Sequence, residues 1–549
     1  MQEKWWHSQT VYQIYPRSFY DSNGDGIGDL NGIRKKLDYL ERLGIGILWL
    51  CPVCKSPNDD NGYDISDYYA IMDEFGTLED MRALITECKN HGISVMMDLV
   101  LNHSSDEHLW FIQSRSSKEN PYRDYYYWAD AKDGKEPNEQ QAFFGGSTWE
   151  WDADTRQYYY HSFSKKQPDL NWNNPHVREE LYQMIRFWMA CGVEGFRLDA
   201  IDNIAKDSEC RKDINGQKVH SFLHELHQNT FAHAEKMITV GETGDATLEL
   251  ARLYSDPARQ ELDMVFQFEL MSIDGVRSGS WEPLDYTLYD LRKLMTKWQT
   301  ELVQPAWNAL FWSNHDYPRV VSRFGNDSPQ YRELSAKMLA TLLHGMKGTP
   351  YIYQGEELGM GNVQFTGIGD YRDIETLRFY ARKKNEGWTE HKIMEYIYRN
   401  SRDNARTPMQ WDRSRNAGFT NGTPWIPLNP EYKEINAATC LADADSIFYY
   451  YQKLIRLRKE KRVLVYGDYS LRYENHPHIF AYCRSLEGEA VLVICNFHDA
   501  DTSLVLQEKL LQEQIWISNY GELCLSEEGT TLYLRPYEAV MVQIGEITI

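Results

Sequence analysis

The chain of 549 residues has no excess of positive charge: 58 Lys and Arg stand against 81 Asp and Glu, a net charge of −23. Such a surface repels phosphate backbones and anionic membranes, so neither nucleic acid nor a membrane surface is expected as a partner. No run approaches the roughly 18 apolar residues of a membrane span, and the opening MQEKWWHSQT has no apolar signal core. The nine cysteines, an odd number, lie irregularly from Cys51 to Cys524, and the lone CxxC of Cys51 and Cys54 has neither a second pair nor a histidine nearby. That spacing excludes a disulfide framework and a zinc knuckle, and a reducing, cytoplasmic location is the expectation. Internal repeats and low-complexity tracts are also missing.

Aromatic residues, by contrast, are abundant. The 17 Trp and 37 Tyr suit a large core, which accounts for most of them, and also suit stacking on the flat apolar faces of sugars. With 42% hydrophobic and 25% charged residues, the composition is that of a globular protein whose length calls for one large domain and one or two smaller ones.

Strand-like and helix-like segments alternate. VYQIYP (11–16), ILWLCP (47–52) and SVMMDLVLNH (94–103) read as strands, separated by an amphipathic stretch from Gly32 to Leu43 and by a helix over 77–92. Residues 104–172, rich in Tyr, Trp, Gly, Asn and Asp and without helical period, read as a small inserted domain. A helix over 177–193 and the strand GFRLDA then restart the alternation. It continues with a helix near 220–236, MITVGET (237–243), a helix over 247–254, MVFQFE (264–269), a helix over 287–299, WNALFWSNHD (307–316), a helix over 332–345 and TPYIYQGEE (349–357). Eight βα units predict a closed (β/α)₈ barrel of the TIM type, formed by 1–103 and 173–464. A doubly wound sheet would need a glycine-rich phosphate turn after the first strand, where DSNGDGIGD stands instead. Residues 465–549 change to short alternating strands and predict a C-terminal antiparallel β-sandwich.

Active sites of such barrels form at the C-terminal ends of the strands, and polar residues gather there. Strand three ends in Asp98, Asn102 and His103, strand four in Arg197 and Asp199, strand five in Glu242, strand seven in Asn314, His315 and Asp316; the loop NDDNGYD adds Asp60 and Tyr63. In GFRLDAIDN (195–203), period-two alternation puts Arg197 and Asp199 on one side of the strand. An arginine beside a carboxylate favours its ionised form, and a bare carboxylate is a nucleophile; a structural pair capping a strand is the plainer reading. Two carboxylates facing one bond, with a third acid and two histidines beside them, are the equipment for glycoside cleavage.

The motifs DLVLNH (98–103), QPDLNW (167–172), GFRLDAI (195–201), VGET (240–243), SNHD (313–316) and SRDNARTPMQWD (401–412) resemble glycoside hydrolase family 13, the α-amylase family, and within it the oligo-1,6-glucosidase and α-glucosidase group. The resemblance spans essentially the whole chain. It implies a nucleophile at Asp199, a general acid/base at Glu242, whose pKa must then be raised, and a third carboxylate at Asp316. By the same resemblance Tyr63, His103, Phe144, Phe163, Gln167, Arg197, Ala200 and His315 contact the substrate. Asp60 and Arg402 close the pocket behind the non-reducing glucose, which implies release of single glucose units; a covalent intermediate on Asp199 implies retention of the α configuration, and a monomer is expected.

In DSNGDGIGD the acids and amide alternate as at the start of an EF-hand loop, without that motif's final glutamate. The resemblance implies a structural Ca²⁺ or Mg²⁺ there, held by Asp21, Asn23, Asp25, Asp29 and the carbonyl of Ile27; no organic cofactor is implied. The linkage cleaved stays open. Ala200 is smaller than the valine usual in α-1,6-preferring relatives, which leans toward maltose or mixed specificity. The segments AWNALFWSNHD and GTPYIYQGEELGM also resemble trehalose-6-phosphate hydrolases, with Arg211, Lys212 and Lys218 as candidates to meet a phosphate. Sucrose hydrolysis or isomerisation would use the same residues. A non-catalytic sugar-binding relative is the contrasting class, and such relatives lose one of the three carboxylates present here.

Overall fold

The computed structural model describes residues 3–207, 209–213, 216–276, 281–302, 305–507 and 509–545. Strands β1 (Val11–Ile14), β2 (Ile47–Leu50), β3 (Ser94–Val100), β4 (Gly195–Asp199), β5 (Ile238–Glu242), β6 (Met264–Phe266), β7 (Ala309–Phe311) and β8 (Thr349–Tyr353) form one parallel eight-stranded sheet. β8 pairs with both β1 and β7, and a bridge from Val265 to Asn308 joins β6 to the residue before β7, so the sheet comes round on itself as a barrel. All residues of β1, β2, β3, β4 and β8 are buried, which is why these strands read as near-continuous apolar runs rather than alternating ones.

Helices start where the sequence offers a cap. Thr77 and Asp80 exchange hydrogen bonds in a capping box at the start of Leu78–Asn90, and Thr287 and Asp290 do the same for Leu288–Glu301. Asn174, followed by Pro175, opens Pro175–Ala190. The stretch expected as one amphipathic segment over Gly32–Leu43 divides into Leu30–Arg34 and Leu37–Leu43. Its apolar period survives the break because Leu37, Leu40 and Leu43 still face the barrel core.

Between β3 and β4 the chain builds a three-stranded sheet from Trp128–Ala129, Trp149–Asp152 and Gln157–Tyr160. After the barrel, Asp468–Arg472, Ile479–Leu486, Glu489–Asn496, Ala539–Ile544 and Ile515–Ser518 form an antiparallel sheet beside a smaller three-stranded one. A second apolar cluster, including Leu492, Leu504, Leu532 and Val542, fills the space between these sheets. Among the described residues no helix is long and apolar enough to cross a membrane.

Candidate active site

The register of β4 sets Arg197 beside Asp98 of β3 on one side and Val240 of β5 on the other. Arg197, 1% exposed, is the hub. Its Nη1 lies 2.7 Å from Asp98 Oδ1 and 2.8 Å from Asp199 Oδ1, and its Nη2 lies 2.8 Å from Glu242 Oε2. Asp98 also accepts from Tyr63 Oη (3.1 Å) and Trp49 Nε1 (3.3 Å).

One guanidinium thus serves three carboxylates, which changes the expectation for Asp199. Burial pushes its carboxyl well above the usual range; Arg197 opposes the rise, while Glu242 and Asp98 add to it. Burial likewise pushes Asp98 up to about 6 against the pull of Arg197. Arg197, shared among three carboxylates, is the charge that works against this burial and favours a bare Asp199.

Ala200, directly after β4, has φ 42° and ψ 37°, in the left-handed region. That conformation turns its N–H toward Glu242, to whose Oε2 it donates at 3.0 Å.

A second cluster gathers on Asp316. Its Oδ1 accepts from Arg406 at 2.7 Å and Arg402 at 3.2 Å, and its Oδ2 lies 3.2 Å from His315 Nε2. Although burial opposes it, His315, Arg402 and Arg406 hold Asp316 well below the usual carboxylate range. Arg402 also meets Asp60 at 3.4 Å and Asp373 at 2.6 Å, and its guanidinium sits 5.3 Å from the centre of the Phe144 ring. Asp60 is pushed up to about 7 by burial, with Arg402 opposing. Burial lowers His103 to about 4 and His315 to about 3, so both rings are neutral near pH 7. Gln167 Nε2 lies 3.2 Å from both Asp60 Oδ2 and His103 Nε2.

These residues converge on a cavity of about 200 Å³. Of the residues singled out in the sequence, Asp60, Tyr63, His103, Phe144, Phe163, Asp199, Ala200, Glu242, Asp316 and Arg402 line it. Arg197, Gln167 and His315 stand behind its wall, bonded to residues that do line it. Sequence reasoning missed Arg406 and Asp373, which fix Arg402 and Asp316, and Trp281 and Glu375, which line the cavity and bond each other at 3.2 Å. Arg406 was visible in principle, four residues after Arg402 in SRDNAR.

The alpha amylase catalytic-domain model matches residues 13–467, and the C-terminal domain model of the alpha-amylase SusG matches 479–541. This chain belongs to the α-amylase family. It is 54% identical to an oligo-1,6-glucosidase of Parageobacillus thermoglucosidasius, over 99% of this chain and 100% of that one. Among solved structures it resembles a trehalose-6-phosphate hydrolase of Bacillus licheniformis (45% identity, TM-score 0.93) and an isomaltulose synthase of Erwinia rhapontici (42% identity, TM-score 0.95). Each comparison covers 99% of this chain and 100% of the other. As a glycoside hydrolase of this family, the enzyme has Asp199, Glu242 and Asp316 together at one rim of its barrel.

Two other groups of residues from the sequence have clear surroundings. The cations named for a phosphate are engaged: Arg211 with Asp207 (3.0 Å) and Glu209 (2.9 Å), Lys212 with Asp202 (2.8 Å) and Asp245 (2.9 Å), and Lys218 with the carbonyl of Lys206 (3.1 Å). In the loop after β1, Asp21 accepts from the N–H groups of Asn23, Gly24 and Gly26 and from the Thr420 hydroxyl. Asp29 accepts from Ser22 and caps the helix Leu30–Arg34, and Asp25 accepts from Ile27 N–H and the Asn23 amide. Every side chain of this set offers oxygen, which fits a hard cation; Asn23, Asp25 and the Ile27 carbonyl keep acceptor capacity, whereas Asp21 is saturated within the protein.

Proposed function

We propose that the enzyme is a retaining, exo-acting α-glucosidase that releases glucose from the non-reducing end of short α-1,4- and α-1,6-linked glucosides. One observation carries the reading: Asp199 and Glu242 sit on two nitrogens of a single guanidinium, at the ends of neighbouring strands, in the cavity that Asp316 also lines. Carboxyl groups held so near each other suit the short separation of a retaining pair, not the wider gap of an inverting one.

In this reading an Asp199 oxygen attacks the anomeric carbon while Glu242 gives its proton to the departing glycosidic oxygen, and the C–O bond breaks to leave a glucosyl ester. Glu242, now a carboxylate, takes a proton from water, which attacks the same carbon as the ester bond to Asp199 breaks, freeing that carboxylate and restoring the α configuration. Asp316, held ionised by its arginines and backed by the neutral His315, grips sugar hydroxyls alongside the neutral His103. Asp60, Arg402 and Phe144 close the inner end, which limits the enzyme to terminal glucose. The oligo-1,6-glucosidase relatives favour the α-1,6 linkage and the small Ala200 favours keeping the α-1,4 linkage as well. The engaged state of Arg211, Lys212 and Lys218 argues against a phosphorylated substrate.

A Ca²⁺ or Mg²⁺ ion in the 21–29 loop, bound through oxygens of Asn23, Asp25 and Asp29 and the carbonyl of Ile27, belongs to the same proposal. Its role is structural, since no residue of that loop lines the cavity. The odd, irregularly spaced set of nine cysteines agrees with a cytoplasmic enzyme, and we take it to act as a monomer.

The test compares initial rates on maltose, isomaltose, sucrose and trehalose 6-phosphate, with the anomer of the released glucose followed by NMR. Maltose and isomaltose are expected to be turned over with α-glucose appearing first, and Asp199→Asn to lose at least 10³-fold in kcat. β-Glucose as first product, or turnover confined to trehalose 6-phosphate, would overturn the reading.

A further inference from the structure

Gln13 is the one amide side chain in β1, and it is 1% exposed. Its Nε2 lies 2.8 Å from Nδ1 of His315, at the end of the barrel's seventh strand, and 3.2 Å from Cys51 Sγ. Burying an amide inside a barrel costs free energy unless its partners are met, so this position calls for a reason beyond packing.

The direction of the Gln13–His315 bond follows from the far side of the ring. His315 Nε2 lies 2.6 Å from Tyr63 Oη and 3.2 Å from Asp316 Oδ2. Asp316 is a carboxylate and only accepts. The Tyr63 hydroxyl has a single hydrogen and stands 3.1 Å from Oδ2 of Asp98, which is ionised beside Arg197 near pH 7; it gives that hydrogen to Asp98 and offers His315 a lone pair. Both neighbours therefore call for a proton on Nε2. On a neutral ring Nδ1 is then bare, and the group facing it must donate, as the Gln13 amide nitrogen does. The hydrogen bonds run one way, from Gln13 through His315 and Tyr63 to Asp98. Nothing around the ring reverses them: burial opposes a charged ring, Asp316 favours one, and Arg197, Arg406 and Arg402 oppose it. Tyr15 stacks at 6.1 Å, Trp49 stands edge-on at 6.4 Å, and burial keeps Cys51 a thiol.

We propose that Gln13 is a positioning residue: its amide fixes the His315 proton on Nε2, so that Asp316 and Tyr63 always meet a donor there. The inference rests on the reading of Asp316 as the carboxylate that grips the sugar. A bare Nε2 would set a lone pair against that carboxylate at 3.2 Å and push it from its place between His315 and the two arginines. The chain ends on Asp98, which shares Arg197 with Asp199 and Glu242, so the same proton order reaches both halves of the site.

Two variants, measured on p-nitrophenyl α-glucoside as a function of pH, separate this role from packing. Gln13→Leu removes the donor and is expected to lower kcat/KM about tenfold at every pH. Gln13→Glu puts a carboxyl in the amide's place. At low pH a proton shared between that carboxyl and Nδ1 leaves Nε2–H intact; once that proton is lost, the carboxylate draws the remaining ring proton to Nδ1 and bares Nε2. The wild-type-to-variant ratio of kcat/KM should therefore climb at least about fivefold between about pH 6 and 8 for Gln13→Glu and stay level for Gln13→Leu. A level ratio for Gln13→Glu, or a Gln13→Leu enzyme as active as wild type, would overturn the proposal. Nitrogen NMR of isotopically labelled histidine in the unaltered enzyme needs no variant at position 13 to fold. Near pH 7 the His315 ring, identified by its absence from His315→Gln, should carry its proton on Nε2, and a proton on Nδ1 would overturn the proposal as well. Failure of the wild-type enzyme to cleave the glucoside would instead strike at the glucosidase reading itself.

Discussion

Ala200 joins substrate choice to backbone strain. A non-glycine residue in the left-handed region costs about 1 kcal/mol, and here the conformation aims an N–H at Glu242. Its methyl group also lines the cavity beside Asp199, where the scissile bond would lie. An α-1,6 link has one more rotatable bond than an α-1,4 link, so its leaving sugar swings clear of a thicker wall that a directly attached ring would strike. Ala200→Val is therefore expected to raise the isomaltose-to-maltose ratio of kcat/KM by about tenfold, through loss on maltose. It should also lower Tm, because a β-branched residue tolerates this backbone region badly. Ala200→Gly relieves the strain without narrowing the wall, so its Tm should rise while the ratio stays put. An unchanged ratio in Ala200→Val would remove Ala200 from the account of linkage choice.

At the scale of elements, the inner end of the pocket is built by two short pieces meeting across the rim: the helix Ile374–Asn385 and the turn Asp403–Arg406. Asp373 couples them. Fully buried, it accepts from Arg402 Nε at 2.8 Å and Nη2 at 2.6 Å through Oδ1, while Oδ2 caps the helix at Thr376 N–H, 2.9 Å away. Asp373→Asn keeps an acceptor for the cap but removes the charge, leaving Arg402 and Arg406 to draw on Asp316 and Asp60. The expected result is a loss of about 3 kcal/mol of stability in urea unfolding and about a tenfold fall in kcat/KM on p-nitrophenyl α-glucoside. Unaltered kinetics with a lower urea midpoint would mean that Asp373 serves the fold alone.

That coupling also marks where the sequence stopped being readable. The eight strands were legible because each is a short apolar run ending in polar residues, and Asp199, Glu242 and Asp316 were legible because they stand at three such ends. Asp373 was not, nor was its pairing with Arg402 and Arg406: nothing along the chain relates a residue to a partner 29 positions away, or assigns one aspartate to two arginines. The helices Ile374–Asn385 and Glu390–Asn400 are hard to read in the sequence, since they follow the last strand and extend no βα pattern. The sharing of Arg197 was not legible, because the local pair suggests one cation for one anion. The barrel brings Asp98 and Glu242, far away in sequence, onto the same guanidinium.

For the whole molecule, the loop after β1 ties the start of the barrel chain to its last hundred residues. Asp21 N–H donates to Phe419 at 3.0 Å, the Thr420 hydroxyl donates to the Asp21 carboxylate, and Trp425 N–H donates to Gly26 at 3.0 Å. The contact is close enough that a Cβ on Gly26 would lie 1.8 Å from the Thr423 carbonyl oxygen. An ion bound by the 21–29 loop would therefore stiffen a clasp between distant parts of the chain, and do so only in the folded state. At a hundredfold excess over Kd such binding contributes about 2.7 kcal/mol, which in a chain of this size is worth a few °C in Tm. Protein stripped with EDTA should regain that increment on addition of Ca²⁺ or Mg²⁺, while kcat at 25 °C stays constant because the clasp lies outside the cavity. Asp25→Ala, which removes a carboxylate with spare acceptor capacity, should abolish the increment while leaving the metal-free Tm nearly unchanged. A Tm indifferent to both cations would leave the Asx-type turns of the loop as its entire function, and a kcat that followed the cation would place the ion's influence in the active site instead.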